Sequence, residues 1–386
     1  MKNNKGLYLA YWAVVLVMLA LGAVGLYWRL TAGHKMANYG QLVVWGLWVA
    51  MYIFFVGISA GAFIVASLTY TFNIECFRPL RRLALLTSLI AMPLGLLSIW
   101  FDLGHMGRFY EMYTRPHWLS MMAVEVWLYT TFLIVLAVMI WLEFGRGGQG
   151  SENTLKWLGA IGLVLVVLYE GANGAMYGVA AARPAWHGGL FPLLFILSGF
   201  SVGVATLAAI YAFLPKEYAI ETRRQVMTDL GKLLLALVIL EALFTFAEYS
   251  IALYSSVPSE IAPLMEILTG SFWYVFWIGQ VVLGIVLPIV VLWWRRTREN
   301  PVWVGIAGLG VVLATLAMRL NIVIPALTLP ELEGLVDAVP SPRMSTLYVP
   351  SPMEWFLSIG IIGLGMALFA IGYNLLLVRS QAAKEV

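Results

Sequence analysis

Five carboxylates stand inside, or at the edge of, long apolar runs: Glu125, Glu170, Glu241, Glu248 and Glu354. A carboxylate in such a setting is costly, and where one persists it exchanges a proton, pairs with a cation or accepts hydrogen bonds. Arg108, Arg115, Arg183 and Arg319 are cations such acids could meet, and pairing alone would tie helices together without any turnover. The stretch "YEGANGAMYG" (169–178) sets Glu170, Asn173 and Tyr177 on one helical stripe by i, i+3 and i+7 spacing. Gly171, Gly174 and Gly178 thin the neighbouring face, which suits either a packing seam or a ligand slot. Glu241 and Glu248 are seven residues apart, close to two helical turns, so they share a face. Glu354 follows Pro350 and Pro352 at a helix start, where negative charge complements the helix dipole. Finally, "DLGHMGRFYEMYTRPHW" (102–118) gathers Asp102, His105, Arg108, Arg115 and His117 among four aromatic side chains, between two apolar runs.

These groups need elements to hold them. Of 386 residues, 62% are hydrophobic and 11% charged, whereas a soluble domain carries about 25% charged residues. The chain has too few charges to cover a water-facing surface and reads as an integral membrane protein. Windows of about 20 apolar residues give ten spans, near 7–28, 42–72, 83–101, 118–142, 155–178, 190–214, 231–254, 271–294, 302–325 and 353–377. The runs are continuous and lack the alternation of barrel strands, so the expected fold is an all-α polytopic membrane protein. The first run lacks a small-residue cleavage site and reads as a retained helix.

Lysine and arginine set the orientation. Sixteen of the 23 basic residues fall at the N-terminus, in the even-numbered loops or at the C-terminus: Lys2, Lys5, Arg78, Arg81, Arg82, Arg146, Lys156, Lys216, Arg223, Arg224, Lys232, Arg295, Arg296, Arg298, Arg379 and Lys384. The positive-inside rule then makes both termini cytoplasmic and turns the 102–118 connection outward. Glu125, Glu170 and Glu248 fall in the outer third of their spans and Glu241 nearer the middle. Asp102, Arg319 and Glu354 fall near outer ends. Polar groups thus converge on the outer leaflet. The many tryptophans and tyrosines fit the interfacial belt, Trp45, Trp48, Tyr52 and Trp127 among them.

Which ligand would such a site take? The four histidines, His34, His105, His117 and His187, all lie in loops or at helix ends and cannot ligate a chain of haems. The single Cys76 excludes an internal disulfide and a cysteine-ligated cluster. No GxxxxGK[ST] loop is present, and no metal site is expected. A lipid-soluble quinone fits: apolar walls for its tail, aromatics for its ring and proton-exchanging side chains for its oxygens. "TRPHW" (114–118) and "ARPAW" (182–186) are matching outward elbows and suggest two related bundles.

Taken together, the chain resembles the NrfD/PsrC-type membrane subunits, of the longer ten-helix variety that includes the HybB-like and DsrP-like proteins. The residues that carry the likeness are "GISAGAF" (57–63), "LSIWFDLGHMGRFYEM" (97–112), "MMAVEVWLY" (121–129), "YEGANGAMY" with "AARPAW", "FTFAEYSIALY" (244–254), "FWIGQVVLGIVLPIVVL" (276–292), "AMRLNIVIPAL" (317–327) and "YVPSPMEWFLSIG" (348–360). The resemblance implies a single membrane domain: a flanking helix at 7–28, a first four-helix bundle at 42–178, a second at 190–325 and a last flanking helix at 353–377. It implies a quinone (menaquinone or ubiquinone) in the first bundle near Asp102, His105, Glu125, Glu170, Asn173 and Tyr177, with no haem or iron–sulfur cluster in this chain. Some members of the family carry a histidine about where Glu170 stands, which leaves open whether Glu170 touches the quinone. Glu241, Glu248 and Arg319 would form a proton route in the second bundle. Arg108, Arg115, His117 and Arg183 would dock a ferredoxin-like iron–sulfur subunit on the outer face, and through it a molybdopterin, hydrogenase or cytochrome subunit, all at the cytoplasmic membrane. Two other classes stay open, a two-bundle ion or solute transporter and a purely structural anchor.

Overall fold

The computed structural model describes residues 5–144, 152–214, 220–332, 334–339, 341 and 343–378. Lys2, Arg146, Lys216, Arg379 and Lys384, which count toward the orientation, lie outside the described residues. Among the described residues, ten helices are long and apolar enough to cross a membrane, as the hydropathy predicts. They are α1 (Lys5–Ala32), α2 (Leu47–Tyr70), α3 (Arg81–Asp102), α4 (Met121–Phe144) and α5 (Glu152–Gly178). The second half contributes α6 (Phe191–Phe213), α7 (Ile220–Ser255), α8 (Val275–Trp293), α9 (Pro301–Val323) and α10 (Pro352–Gly372). No strand occurs among the described residues. The protein is an all-helical, multi-pass membrane protein.

Successive helices run in opposite directions, which sorts the contacts by end. At one end, the Asp102 end, Arg29 of α1 donates to the carbonyls of Phe101 and Leu103. At the other, the Arg81 end, Arg81 and Arg82 of α3 pair with Glu143 of α4 at 3.2 and 2.6 Å. Within 47–178, α2 packs on α3 and α5, and α4 on α5 and α3. Within 191–323, α9 packs on α6, α7 and α8. The α2–α6 contact joins the two groups, and α1 lies along α10 and, through it, against α3.

Glycines set the closest approaches. A Cβ on Gly61 of α2 would lie 2.2 Å from the Gly199 carbonyl oxygen of α6, and one on Gly203 would lie 2.2 Å from the Gly61 carbonyl carbon. Gly22 of α1 and Gly360 of α10 face each other in the same manner. Because lipid is as apolar as leucine, such backbone-to-backbone packing, together with interhelical polar contacts, holds the helices together in place of hydrophobic burial. Consequently α2 is enclosed, with 94% of its apolar window buried against 17% for α1.

Helix starts are fixed by caps, some of them remote in sequence. The apolar run from residue 42 becomes helical only at Leu47, whose N–H donates to the Tyr348 hydroxyl at 2.8 Å. At α10, Ser351 accepts from the Glu354 N–H while the Glu354 carboxylate accepts from the Ser351 N–H, a capping box with Pro352 at the first helical position. The same carboxylate accepts from the Asn38 N–H at 3.1 Å and from the Tyr348 hydroxyl. Glu354 is therefore a fastener that joins the α10 start to the α1–α2 connection. Glu354→Ala is expected to cost about 1–3 kcal/mol, from the lost cap plus stranded buried donors. A detergent thermal-unfolding assay should show a clear drop in midpoint. The exposed Glu75→Ala, which breaks a surface pair with Arg78, should leave the midpoint unmoved.

Candidate functional site

Three helices bring their polar groups together at one hydroxyl. Tyr52 of α2 lies 2.6 Å from the Tyr129 hydroxyl and 3.2 Å from Glu125 Oε2, both on α4, and 3.1 Å from Asn173 Oδ1 on α5. All four side chains are buried. A phenol carries one proton and two lone pairs, so Tyr52 can donate to only one of these acceptors at a time. Glu125 Oε1 and Asn173 Nδ2 have no hydrogen-bond partner among the described residues. Tyr52, Glu125 and Asn173 sit four or five residues from the helix ends at Leu47, Met121 and Gly178, about 6–8 Å deep at 1.5 Å per residue. Aromatic rings wall the cluster: Tyr129 meets Tyr169 edge-on at 5.2 Å, and Tyr169 meets Phe132 at 5.3 Å.

One turn deeper, Glu170 of α5 is also enclosed, and neither carboxylate oxygen has a hydrogen-bond partner among the described residues. A Cβ on Gly199 of α6 would come within 3.2 Å of its carboxylate, so the glycine makes room for the acid. Arg319 of α9 reaches the same seam. Its guanidinium lies 4.0 Å over the Phe195 ring, donates to Ser198 at 2.8 Å and would lie 3.7 Å from a Cβ on Gly57 of α2. From there it stands within electrostatic reach of both Glu170 and Glu241. Tyr177 completes the expected stripe, with its ring against Trp45, Trp186, Phe191 and Phe195 and its hydroxyl unpartnered among the described residues.

The other expected residues lie apart from this cluster. Asp102 joins a polar cluster at its own end of the molecule, within electrostatic reach of Arg29 and Glu354. There Arg29 contacts His34 at 2.7 Å, and His34 in turn bonds the Tyr39 hydroxyl. Burial, and then the nearby Asp102 carboxylate, raises the Tyr39 phenol above its ordinary range. Burial, and then Glu354, does the same to Tyr348. His105, Arg108, Arg115 and His117 are exposed on the 103–120 connection. Arg183 is tied inside the chain, donating to the Ala326 and Leu329 carbonyls at 3.0 and 2.9 Å and pairing with Glu331 at 3.0 Å. Glu241 and Glu248 line different cavities. Glu241 shares about 20 Å³ with Gln280 and Thr315, room for about one water. Glu248 borders about 260 Å³ with His187, Tyr249 and Glu260.

Sequence reading places Tyr52 in the interfacial belt; instead it is the hub of the cluster. Its spacing to Glu125 and Asn173 crosses helices, and no pattern within α2 reports it. Arg29 and Ser198 are invisible for the same reason. Glu143 lies at a helix end in an apolar run, and its two arginine partners come from α3.

The family described as polysulphide reductase, NrfD, matches residues 35–331. A selenate reductase subunit of Mesobacillus selenatarsenatis is 32% identical, over 97% of this chain and 95% of its own. The Hdr-like menaquinol oxidoreductase integral membrane subunit of Archaeoglobus fulgidus is 25% identical over 100% and 98%. The menaquinone reductase integral membrane subunit of Nitratidesulfovibrio vulgaris is 22% identical over 98% and 93%.

Proposed function

The chain belongs to the NrfD family, and on that footing we propose that it is the quinone-reactive membrane subunit of a respiratory oxidoreductase complex. The observation that carries this reading is the Tyr52 hydroxyl, held among Glu125, Tyr129 and Asn173 from two other helices. Quinol oxidation releases two electrons and two protons, and quinone reduction takes them up. In this reading, Glu125 and Tyr52 handle the proton at one quinone oxygen, exchanging it along their shared hydrogen bond. The unpartnered Nδ2 of Asn173 donates to that oxygen, and Tyr177 and Glu170 line the ring's approach. The names of the Archaeoglobus and Nitratidesulfovibrio relatives, which refer to menaquinol and menaquinone, support a quinone as substrate.

The electrons are exchanged, in either direction, with a ferredoxin-like iron–sulfur subunit seated over the exposed His105, Arg108, Arg115 and His117, and through it with a molybdopterin, hydrogenase or cytochrome subunit. The basic residues at the Arg81 end support a reading in which that end and both termini are cytoplasmic and the partner sits on the outward face of the cytoplasmic membrane. In this reading the helices divide into two four-helix bundles, α2–α5 and α6–α9, flanked by α1 and α10. Arg319 then stands within electrostatic reach of Glu170 in the quinone bundle and of Glu241, which is the inner station of a proton path in the second bundle, with Glu248 further out.

Purification of the chain with its partners and assay of quinol-dependent reduction of the partner's cluster tests the reading. A transporter or an inert anchor gives none. In proteoliposomes, Glu241→Gln should abolish quinone-coupled membrane potential while sparing turnover. A normal potential in that variant removes Glu241 from the path.

A further inference from the structure

A large cavity lies away from the polar cluster. It has a volume of about 910 Å³ and is an open cleft lined by α1, α2, α3, α6 and α10 at the Arg81 end. Its outer rim is formed by Leu7 of α1, Leu214 at the α6 end and Tyr373 just beyond α10, all level with helix termini. Its floor is formed by Phe55 and Ile58 in the middle of α2, with Leu94 and Ile362. Along α10 and just past its end the lining runs from Ile362 to Tyr373, eleven steps, or about 16 Å at 1.5 Å per residue. Half of a roughly 30 Å hydrocarbon core is about 15 Å. The cleft is one leaflet deep.

Its walls are mostly apolar, with Tyr8 and Tyr373 adding hydroxyl-bearing side chains toward the rim. Tyr11, Thr87 and Thr206 are polar lining residues, and each spends its hydroxyl on a backbone carbonyl: Met366 at 2.7 Å, Leu83 at 2.9 Å and Val202 at 2.7 Å. A quinone ring placed here would find no donor on these three for its two carbonyls. The rim, in contrast, is cationic. Lys5 is exposed one helical turn from the lining residue Tyr8. Arg223 caps α6 through the Tyr211 and Ala212 carbonyls, beside the lining residues Ile210, Phe213 and Leu214. Arg81 and Arg82, further along the same end, are already paired with Glu143.

We propose that this cleft is a binding site for an anionic diacyl phospholipid, with its acyl chains between the α1–α10 pair and the central helices and its phosphate at Lys5 and Arg223. The inference is independent of the quinone reading, because it uses none of the same residues. The lipid would mortar α1 and α10 to the core on the side where their direct packing leaves off.

The purified, delipidated full-length chain tests this, with dioleoyl-phosphatidylglycerol, dioleoyl-phosphatidylcholine and a menaquinone as probes. The anionic lipid should raise the thermal midpoint by several degrees more than the zwitterionic one. Ile210→Trp, which fills the cleft from α6, should lose both the shift and the phospholipid retained in native mass spectra. Lys5→Gln removes only an exposed rim charge and should narrow the difference between the two phospholipids at least twofold. Equal shifts from both phospholipids in the wild type would overturn the proposal, as would undiminished retention in the filled variant. Stabilisation by menaquinone that competes with phosphatidylglycerol would identify the occupant as an isoprenoid tail and overturn it too.

Discussion

Glu125→Gln is expected to lower quinol-dependent electron transfer by about 10²–10⁴-fold while the complex stays assembled, because a positioned acid–base group contributes that much to a proton-transfer step. The amide has the shape of the acid and still accepts a hydrogen bond from Tyr52, at 3.2 Å in the wild type. What it cannot do is take a proton and pass it on. Packing on α4 should therefore survive, and the loss should appear in the maximal rate more than in the apparent affinity for quinol. Tyr52→Phe is the companion variant. It keeps the ring but removes the hydroxyl that links Glu125, Tyr129 and Asn173, and should cost at least tenfold. Stopped-flow oxidation of quinol by the purified complex gives both numbers. A wild-type rate in Glu125→Gln would remove this acid from the chemistry.

The largest structural effect is expected at Gly61. A Cβ there would meet the Gly199 carbonyl oxygen at 2.2 Å and the Gly203 backbone at 2.8 Å. Both obstacles are backbone, so no side chain can rotate away, and α2 and α6 must separate. Overpacking of this kind costs about 1–3 kcal/mol, and more when the obstacle is rigid. The seam it opens also carries Glu170 and Arg319, so Gly61→Val should lose folded protein and, in what remains, turnover. Gly171→Ala supplies the contrast. Its added Cβ meets only the end of the Ile196 side chain, at 3.7 Å. Size-exclusion profiles and thermal midpoints in detergent distinguish the two. Equal profiles would mean that the α2–α6 seam is compliant.

The sequence announces what depends on runs and periods. Ten apolar stretches need only length, and the Glu170–Asn173–Tyr177 stripe needs only 3.6 residues per turn. Glu125 is noticeable because an isolated acid in a greasy run is rare. What stays hidden is set by neighbours on other helices. Tyr52 reads as one aromatic among many until α4 and α5 close on it. The start of α2 at Leu47 depends on Tyr348, about 300 positions away. Arg319 could be read as the partner of any nearby acid; its place over Phe195 and beside Ser198 follows from α6 lying against α9. Position along a helix is local information, whereas rotation toward a partner is not.

The enclosure of α2 also has a consequence in time. This helix ends at Tyr70, and α6, which packs on its glycine face, ends at Phe213, 143 residues later. At about 5–20 residues per second of synthesis, roughly 7 to 30 seconds separate their emergence. During that interval α2 sits in lipid with a side exposed that it will never show again. Its 24 residues carry no charge, which lets it wait there without partners. The nascent chain thus passes through a state in which Gly57 and Gly61 face acyl chains, and any stall in translation before α6 prolongs the moment when the wrong helix can dock on them.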